Sequence, residues 1–306
     1  MDVLARVIPF FMLVAVGVVL GRVKLVDLAG ARALSAYVFW VAFPALLIHS
    51  LSAMAPPDAA MAAGLAAYAV GVSVVLALAL VAGRLMGWSR PTRAGTAMAS
   101  INANTAFLGA PLSVALFGAA AQGPSAAVVA IDCTLIMALG TAMVRGAADD
   151  SSLWKAAAKT LRNPLVVAAL IGAGLSFAGL RLIAPLETAL GMLRATASPV
   201  GLVALGIVVG LEAGHGARED AAPVSLAVAF KLLLAPLLVW LLVGLTEADP
   251  MFRATATLLA ACPTAVHVFI QTRTYAVFAR GGAMAVVLST IGAAISLPIL
   301  GAALLP

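Results

Sequence analysis

Asn104-Thr105-Ala106-Phe107-Leu108-Gly109-Ala110-Pro111 interrupts an otherwise hydrophobic segment, and Ala261-Cys262-Pro263-Thr264-Ala265 interrupts another at the corresponding place in the second half of the chain. A proline inside a helix removes a hydrogen bond and leaves a carbonyl unpaired. Hydrocarbon does not tolerate such a carbonyl unless the freed backbone lines a buried polar cavity. Matching breaks, one in each half of a membrane-embedded chain, are the pattern of a secondary carrier's binding site.

The membrane setting follows from composition. Of 306 residues, 64% are hydrophobic and 10% charged, and no polar block is long enough for a soluble domain. The chain therefore reads as an all-α integral membrane protein. Apolar stretches bounded by charges, Gly or Pro fall at residues 3–21, 30–52, 59–87, 93–119, 124–145, 161–180, 183–212, 220–245, 251–278 and 281–305. These ten expected spans are divided five and five by the polar stretch 145–162, which contains Asp149-Asp150-Ser151-Ser152. The expected organisation is a first five-helix repeat over 1–146, a linker over 147–160 and a second repeat over 161–306. The first apolar segment follows Met1-Asp2 without a basic n-region or a small-residue cleavage site, so it reads as a retained helix. Cys133 and Cys262 lie in apolar stretches without metal-ligand spacing, and neither a disulfide framework, a metal site nor a cofactor is expected.

Charge sets the orientation. Thirteen cations (Arg22, Lys24, Arg32, Arg84, Arg90, Arg93, Arg145, Lys155, Lys159, Arg162, Arg218, Arg273 and Arg280) fall on one side, and four (Arg6, Arg181, Arg194 and Arg253) on the other. Lys231 is left inside span 8. The bias places both termini outside and the 145–162 linker in the cytoplasm of a cell inner (plasma) membrane. The net charge of +6 is then mostly an orientation signal and an attraction to anionic membrane lipid, not evidence for nucleic acid.

Pro9 and Pro164, Gly17 and Gly172, and Pro44 and Pro199 are each 155 residues apart, which suggests that spans 1–5 repeat as spans 6–10. An odd number of spans per repeat makes the second copy enter from the opposite side, so the repeats are expected to be inverted. Pro111 and Pro263 differ by 152, and the breaks in spans 4 and 9 are expected to cross. Positive half-helix N-termini at such a crossing attract anions. Asn104 and Thr105, with Asn102 nearby, offer a carboxamide and hydroxyl to a carboxylate without burying a fixed charge. The alternative role for Asn104 is to satisfy backbone groups freed by Pro111.

Asn104-Thr105-Ala106-Phe107-Leu108-Gly109-Ala110-Pro111-Leu112 resembles the Asn-Thr, Gly-x-Pro-Leu crossover of the auxin efflux carrier superfamily, which comprises the plant PIN-FORMED carriers and bacterial permeases. Cys262-Pro263-Thr264-Ala265-Val266 is similar to that family's second crossover, and Phe43-Pro44-Ala45-Leu46-Leu47 to the Pro-containing run of its second helix. The resemblance covers nearly the whole chain. It implies an architecture like sodium/proton antiporters and bile acid symporters, with broken, crossing helices 4 and 9. It further implies a scaffold of spans 1, 2, 6 and 7, a transporter domain of spans 3–5 and 8–10, an elevator-like cycle and a homodimer. By the same likeness Asn104 meets the substrate carboxylate, and Pro111 and Pro263 mark the crossing. Thr264 and His267 join the candidate binding set beside the second break, His267 standing near a position where the plant sequences have another proline. Arg273 falls where the plant carriers have a lysine, and their long cytoplasmic loop is absent here.

Asp132, in Val129-Ala130-Ile131-Asp132-Cys133-Thr134, is the only carboxylate well inside an expected span. An ionisable group at that depth is a functional candidate. It can carry a proton with each cycle, partner Lys231 or Arg273, or sit nearer the headgroups than drawn. Lys231 can neutralise Asp132, help hold an anion, or snorkel to an interface. His49 reads as interfacial and His215 as solvated. Gly206-x-x-x-Gly210 has the spacing of a helix dimerisation face.

The leading expectation is a carrier of a small organic anion; the resemblance to the family's bacterial permeases implies a dicarboxylate, malate-like or malonate-like, with an auxin-like aromatic carboxylate as the alternative. A sodium-coupled symporter of the bile acid type is disfavoured because sodium sites gather several oxygen ligands, and Asp132 is the one mid-span acid. An intramembrane hydrolase lacks a nucleophile motif, and no phosphate-binding loop supports ATP-driven pumping.

Overall fold

A computed structural model describes residues 3–54, 56–148, 164–212 and 220–305. Residues 149–160 of the expected linker, and His215, lie outside the described residues. The chain forms α1 (Val3–Arg22), α2 (Leu28–Ala53), α3 (Ala59–Leu85), α4 (Arg90–Ile101), α5 (Thr105–Phe117), α6 (Ala119–Ala148), α7 (Pro164–Phe177), α8 (Ala184–Glu212), α9 (Ala221–Val243), α10 (Pro250–Ala260), α11 (Val266–Thr274) and α12 (Ala279–Leu304). Among the described residues seven helices, α1, α2, α3, α6, α8, α9 and α12, are long and apolar enough to cross a membrane, and no strand forms. The expected span 4 is α4 followed by α5, and span 9 is α10 followed by α11.

Local chemistry fixes the helix ends. Asp27 and Asp58 accept from Gly30 N and Met61 N at 2.8 Å, capping α2 and α3. Asp249 caps α10 by accepting from Met251 N at 2.7 Å, with Pro250 in its first turn. Each such cap is worth ~1 kcal/mol. After α3, Gly87 takes a φ of +70°, and between α5 and α6 Gly118 takes +80°, a backbone region that glycine enters without a Cβ clash.

Prolines leave a second signature. The π-helical turns Val38–Ala42, Thr105–Gly109 and Phe230–Leu234 each end two residues before a proline, Pro44, Pro111 and Pro236 respectively. Proline cannot donate to the carbonyl four residues earlier and clashes with it. Widening the preceding turn lets the chain stay helical past it. The fourth π turn, Asp132–Ile136, has no proline and begins on the buried acid.

Small residues set the closest helix contacts. Gly17 of α1 lies against Val203, Gly206 and Ile207 of α8, and Gly206 and Gly210 abut the α1 carbonyls of Val14 and Val18. The Gly206-x-x-x-Gly210 spacing is therefore spent inside the chain, on α1, and is not a free dimerisation face. Gly172 of α7 packs in the same way on Leu47, Ile48 and Leu51 of α2. Positions 48 and 51 precede 203 and 206 by the same 155 residues that separate Gly17 from Gly172. Outward, α1 exposes Leu4, Ile8, Met12, Val16 and Val19, an apolar stripe suited to lipid.

The backbone contact makes a sharp test. Gly206→Val should lower the melting temperature of the purified protein by at least about 5 °C, because the added methyls meet the Val14 carbonyl and overpacking costs ~1–3 kcal/mol. Gly174→Val, at a position with open space where a Cβ would go, should leave it unchanged.

Candidate functional site at the helix crossing

The site begins where two helices stop. α4 ends at Ile101 and α10 at Ala260, and the extended stretches that follow lie antiparallel. Asn104 N donates to Pro263 O at 2.8 Å, and Ala265 N donates to Asn102 O at 2.9 Å, with Ala103 and Thr264 as the bridged pair. The first break thus occupies residues 102–104, and Asn104, not Pro111, stands opposite Pro263. Pro111 lies in the first turn of the regular α-helical part of α5, beyond the crossing.

The carbonyls exposed by these breaks are met one by one. Asn102 Nδ2 donates to Met98 O at 3.0 Å, Thr264 Oγ1 to Ala99 O at 2.9 Å, and Lys231 Nζ to Ala260 O at 2.7 Å. Thr264 N donates to Ser289 Oγ at 3.0 Å. The carbonyl that Pro111 frees, that of Phe107, accepts from Ser198 Oγ of α8 at 2.7 Å. Asn104 does not serve that carbonyl, and its Nδ2 has no partner. Gly140 of α6 makes room for the Asn102 amide, and Gly109 of α5 for Cys262, so the crossing is as tight as its small residues allow.

A cavity of about 70 Å³ sits beside the crossing, lined by Asn102, Asn104, Thr105, Asp132, His267 and, on its apolar side, Phe43 and Phe107. Asp132 Oδ1 accepts from Tyr68 of α3 at 2.8 Å, and Thr105 faces the same carboxylate. Three polar atoms on this cavity's lining residues are buried without a partner: Asn104 Nδ2, Asp132 Oδ2 and His267 Nε2. Buried polar atoms are almost always paired, so three orphans on the residues around one small cavity make it the candidate binding site. The aromatic pair Phe43 and Phe107 stacks over it at 4.4 Å between centroids and 10° between planes.

Phe39, Phe107, Met137 and His267 are shared with a vestibule of about 790 Å³ that carries Arg32, Arg145 and Arg273. Those arginines belong to the side that loop charge assigns to the cytoplasm. A separate cavity of about 360 Å³ holds Pro111, Ser198 and Arg194, the last from the opposite group.

The structure thus gathers Asn102, Asn104, Thr105, Asp132 and His267 and separates the other candidates from them. Thr264 is fully buried with its hydroxyl engaged behind the crossing. Pro263 contributes its carbonyl to the bridge. Lys231 is 1% exposed and caps α10, so it does not snorkel. Asp132, at 6% exposure, is buried within the protein. Arg273, which lines the vestibule, pairs with Glu212 at 2.6 Å, not with Asp132. Among the described residues no group of three or more His, Cys, Asp or Glu side chains could hold a metal ion. Tyr68 and Ser198 were not singled out from sequence. Tyr68 was readable as the lone phenol in a run of small and aliphatic residues, while Ser198 has no comparable signal.

Residues 2–300 match the family described as membrane transport protein. Over 304 residues, 95% of this chain and 92% of the relative, the sequence is 27% identical to a Rhizobium meliloti (strain 1021) protein named "Putative malonate transporter".

Hydrogen bonding separates a structural group from a ligand-facing one. Ser198→Ala leaves the Phe107 carbonyl buried and unpaired, at a cost of ~1–3 kcal/mol. Asn104→Ala removes an amide nitrogen that has no partner in the empty site. Thermal melts without added substrate should show the larger loss for Ser198→Ala.

Proposed function

The chain belongs to the membrane transport protein family, that of the auxin efflux carriers, and we propose that it carries a small dicarboxylate such as malonate by alternating access. The observation that carries this reading is the convergence of the three unpartnered atoms of Asn104, Asp132 and His267 on one cavity at the crossing. A carboxylate oxygen takes the hydrogen bond that Asn104 Nδ2 does not spend. The first turn of α5, with its amides pointing out of the helix end, adds positive potential at the same place. His267 stands between this cavity and the arginine-bearing vestibule, where the second carboxylate of a short diacid faces. The malonate assignment draws on the name of the Rhizobium meliloti relative.

The moving parts follow the packing. In this reading α1, α2, α7 and α8 form a scaffold, tied by the matching glycine contacts of Gly17 and Gly172. The remaining helices form the transporter body, joined through the backbone bridge of the two breaks. The 155-residue correspondence of those glycine contacts supports two inverted repeats of five spans each. The vestibule and the Arg194 cavity are the two ends of the path. Asp132 Oδ2 is the group that takes up and gives back a proton as the body moves.

Purified protein in proteoliposomes preloaded with malonate should accumulate external radiolabelled malonate by counterflow. Unlabelled malonate should compete better than indole acetate. Asn104→Ala should slow the initial rate by about tenfold or more, the worth of one hydrogen bond to a charged group. An imposed proton gradient should change the plateau in the wild type and not in Asp132→Asn. Absence of exchange for every carboxylate tried, or a rate indifferent to Asn104→Ala, would overturn the assignment.

A further inference from the structure

Two helix C-terminal ends meet at the crossing, and they are treated differently. Such an end concentrates partial negative charge on carbonyls that have no donor within the helix. The end of α4 is met by neutral donors, Thr264 Oγ1 on Ala99 O and, on Met98 O, Asn102 Nδ2 beside the Asn102 backbone N–H at 3.1 Å. The end of α10 is met by a cation, Lys231 Nζ on Ala260 O at 2.7 Å. Lys231 rises from the π turn Phe230–Leu234 of α9 and is 1% exposed. The second negative group in its field is the Asp132 carboxylate.

Burying an ammonium is expensive unless it replaces something the fold needs. In carriers built on broken helices, unwound carbonyls and half-helix C-terminal ends are the groups that coordinate a coupling cation. Lys231 meets that description from within the chain. It lines neither the central cavity nor the vestibule, so it does not reach a substrate held by Asn104. We propose that the Lys231 ammonium is a tethered cation, standing at the α10 terminus where a freely bound sodium ion would otherwise neutralise the crossing, so that the crossing is complete without a metal cation.

The consequence for transport rests on the carrier reading above, while the structural half is tested without any substrate. Thermal melts of the purified full-length protein are compared in sodium, potassium, methylammonium and choline chlorides at equal ionic strength. The wild type should melt at one temperature in all four. Lys231→Ala should melt lower by about 5 °C or more in choline and recover at least half of the loss in sodium or methylammonium, which fit the vacated space. Lys231→Met fills the space without a charge and should be recovered by no salt. If the alanine variant does not purify, Lys231→Ser carries the same comparison.

Equal melting of Lys231→Ala in sodium, methylammonium and choline would overturn the proposal, as would sodium stabilising the wild type. In proteoliposomes, malonate counterflow by the wild type should be the same in sodium and choline, and that by Lys231→Ala should require sodium or methylammonium. If the wild type moves no carboxylate but the melts show the rescue, the substrate reading fails and the tethered cation stands.

Discussion

Two hydrogen bonds, Asn104 N to Pro263 O and Ala265 N to Asn102 O, hold the rest of the structure to account. Inside a bilayer a helix is safe because it satisfies its own backbone, and any break must find partners elsewhere. Here each break is the other's partner. The bridge settles the extended residues, and the helix ends on either side then need donors, which Asn102, Thr264 and Lys231 supply. Ser198 does the same for the carbonyl that Pro111 releases. The polar residues buried around the crossing are thus the accounts of two interrupted helices. Those left over after that accounting, Asn104 Nδ2, Asp132 Oδ2 and His267 Nε2, are the ones free to face something else.

The same constraint shows what the sequence could reveal. The all-helical, membrane-spanning character was legible because about 20 apolar residues between charges allow few other readings, and the second break fell where Pro263 put it. The first break was misplaced toward Pro111 because that proline does not break α5. A π turn absorbs the missing hydrogen bond and the helix continues. Breaking falls instead on Asn102–Asn104, where the competing signal is side-chain hydrogen bonding to the backbone, a weaker mark in sequence than proline. Lys231 was legible as a buried oddity but not as a cap, since nothing in Phe230-Lys231-Leu232 names a carbonyl that lies 29 residues away. Gly206-x-x-x-Gly210 announced close helix contact correctly and left its partner open, and the partner is α1.

Repetition in the fold does not extend to its charges. The glycine contacts of α1 on α8 and of α7 on α2 repeat at one spacing, yet the two helix ends at the crossing are closed by neutral groups on one side and an ammonium on the other. These contacts supply the same close packing twice, while the electrostatics are supplied once, because both helix ends face a single crossing. Asp132 balances that cation, and the Tyr68 hydroxyl holds one of its oxygens in place.

If Asn104 faces the ligand as proposed, the use of an amide and not an arginine follows from the need to let go. A buried fixed cation facing an empty cavity pays the full desolvation cost in every unloaded passage and then holds an anion too firmly to release it. A carboxamide faces neither penalty, and the ends of nearby half-helices add positive potential without a formal charge. The formal charges stand instead at the mouths: Arg32, Arg145 and Arg273 at one, Arg194 at the other. There water screens them, so they raise the local concentration of anions without trapping any at the centre. In the proposed carrier, long-range attraction and short-range recognition then fall to different residues, Arg273, paired with Glu212, for the first and Asn104, unpaired at the crossing, for the second.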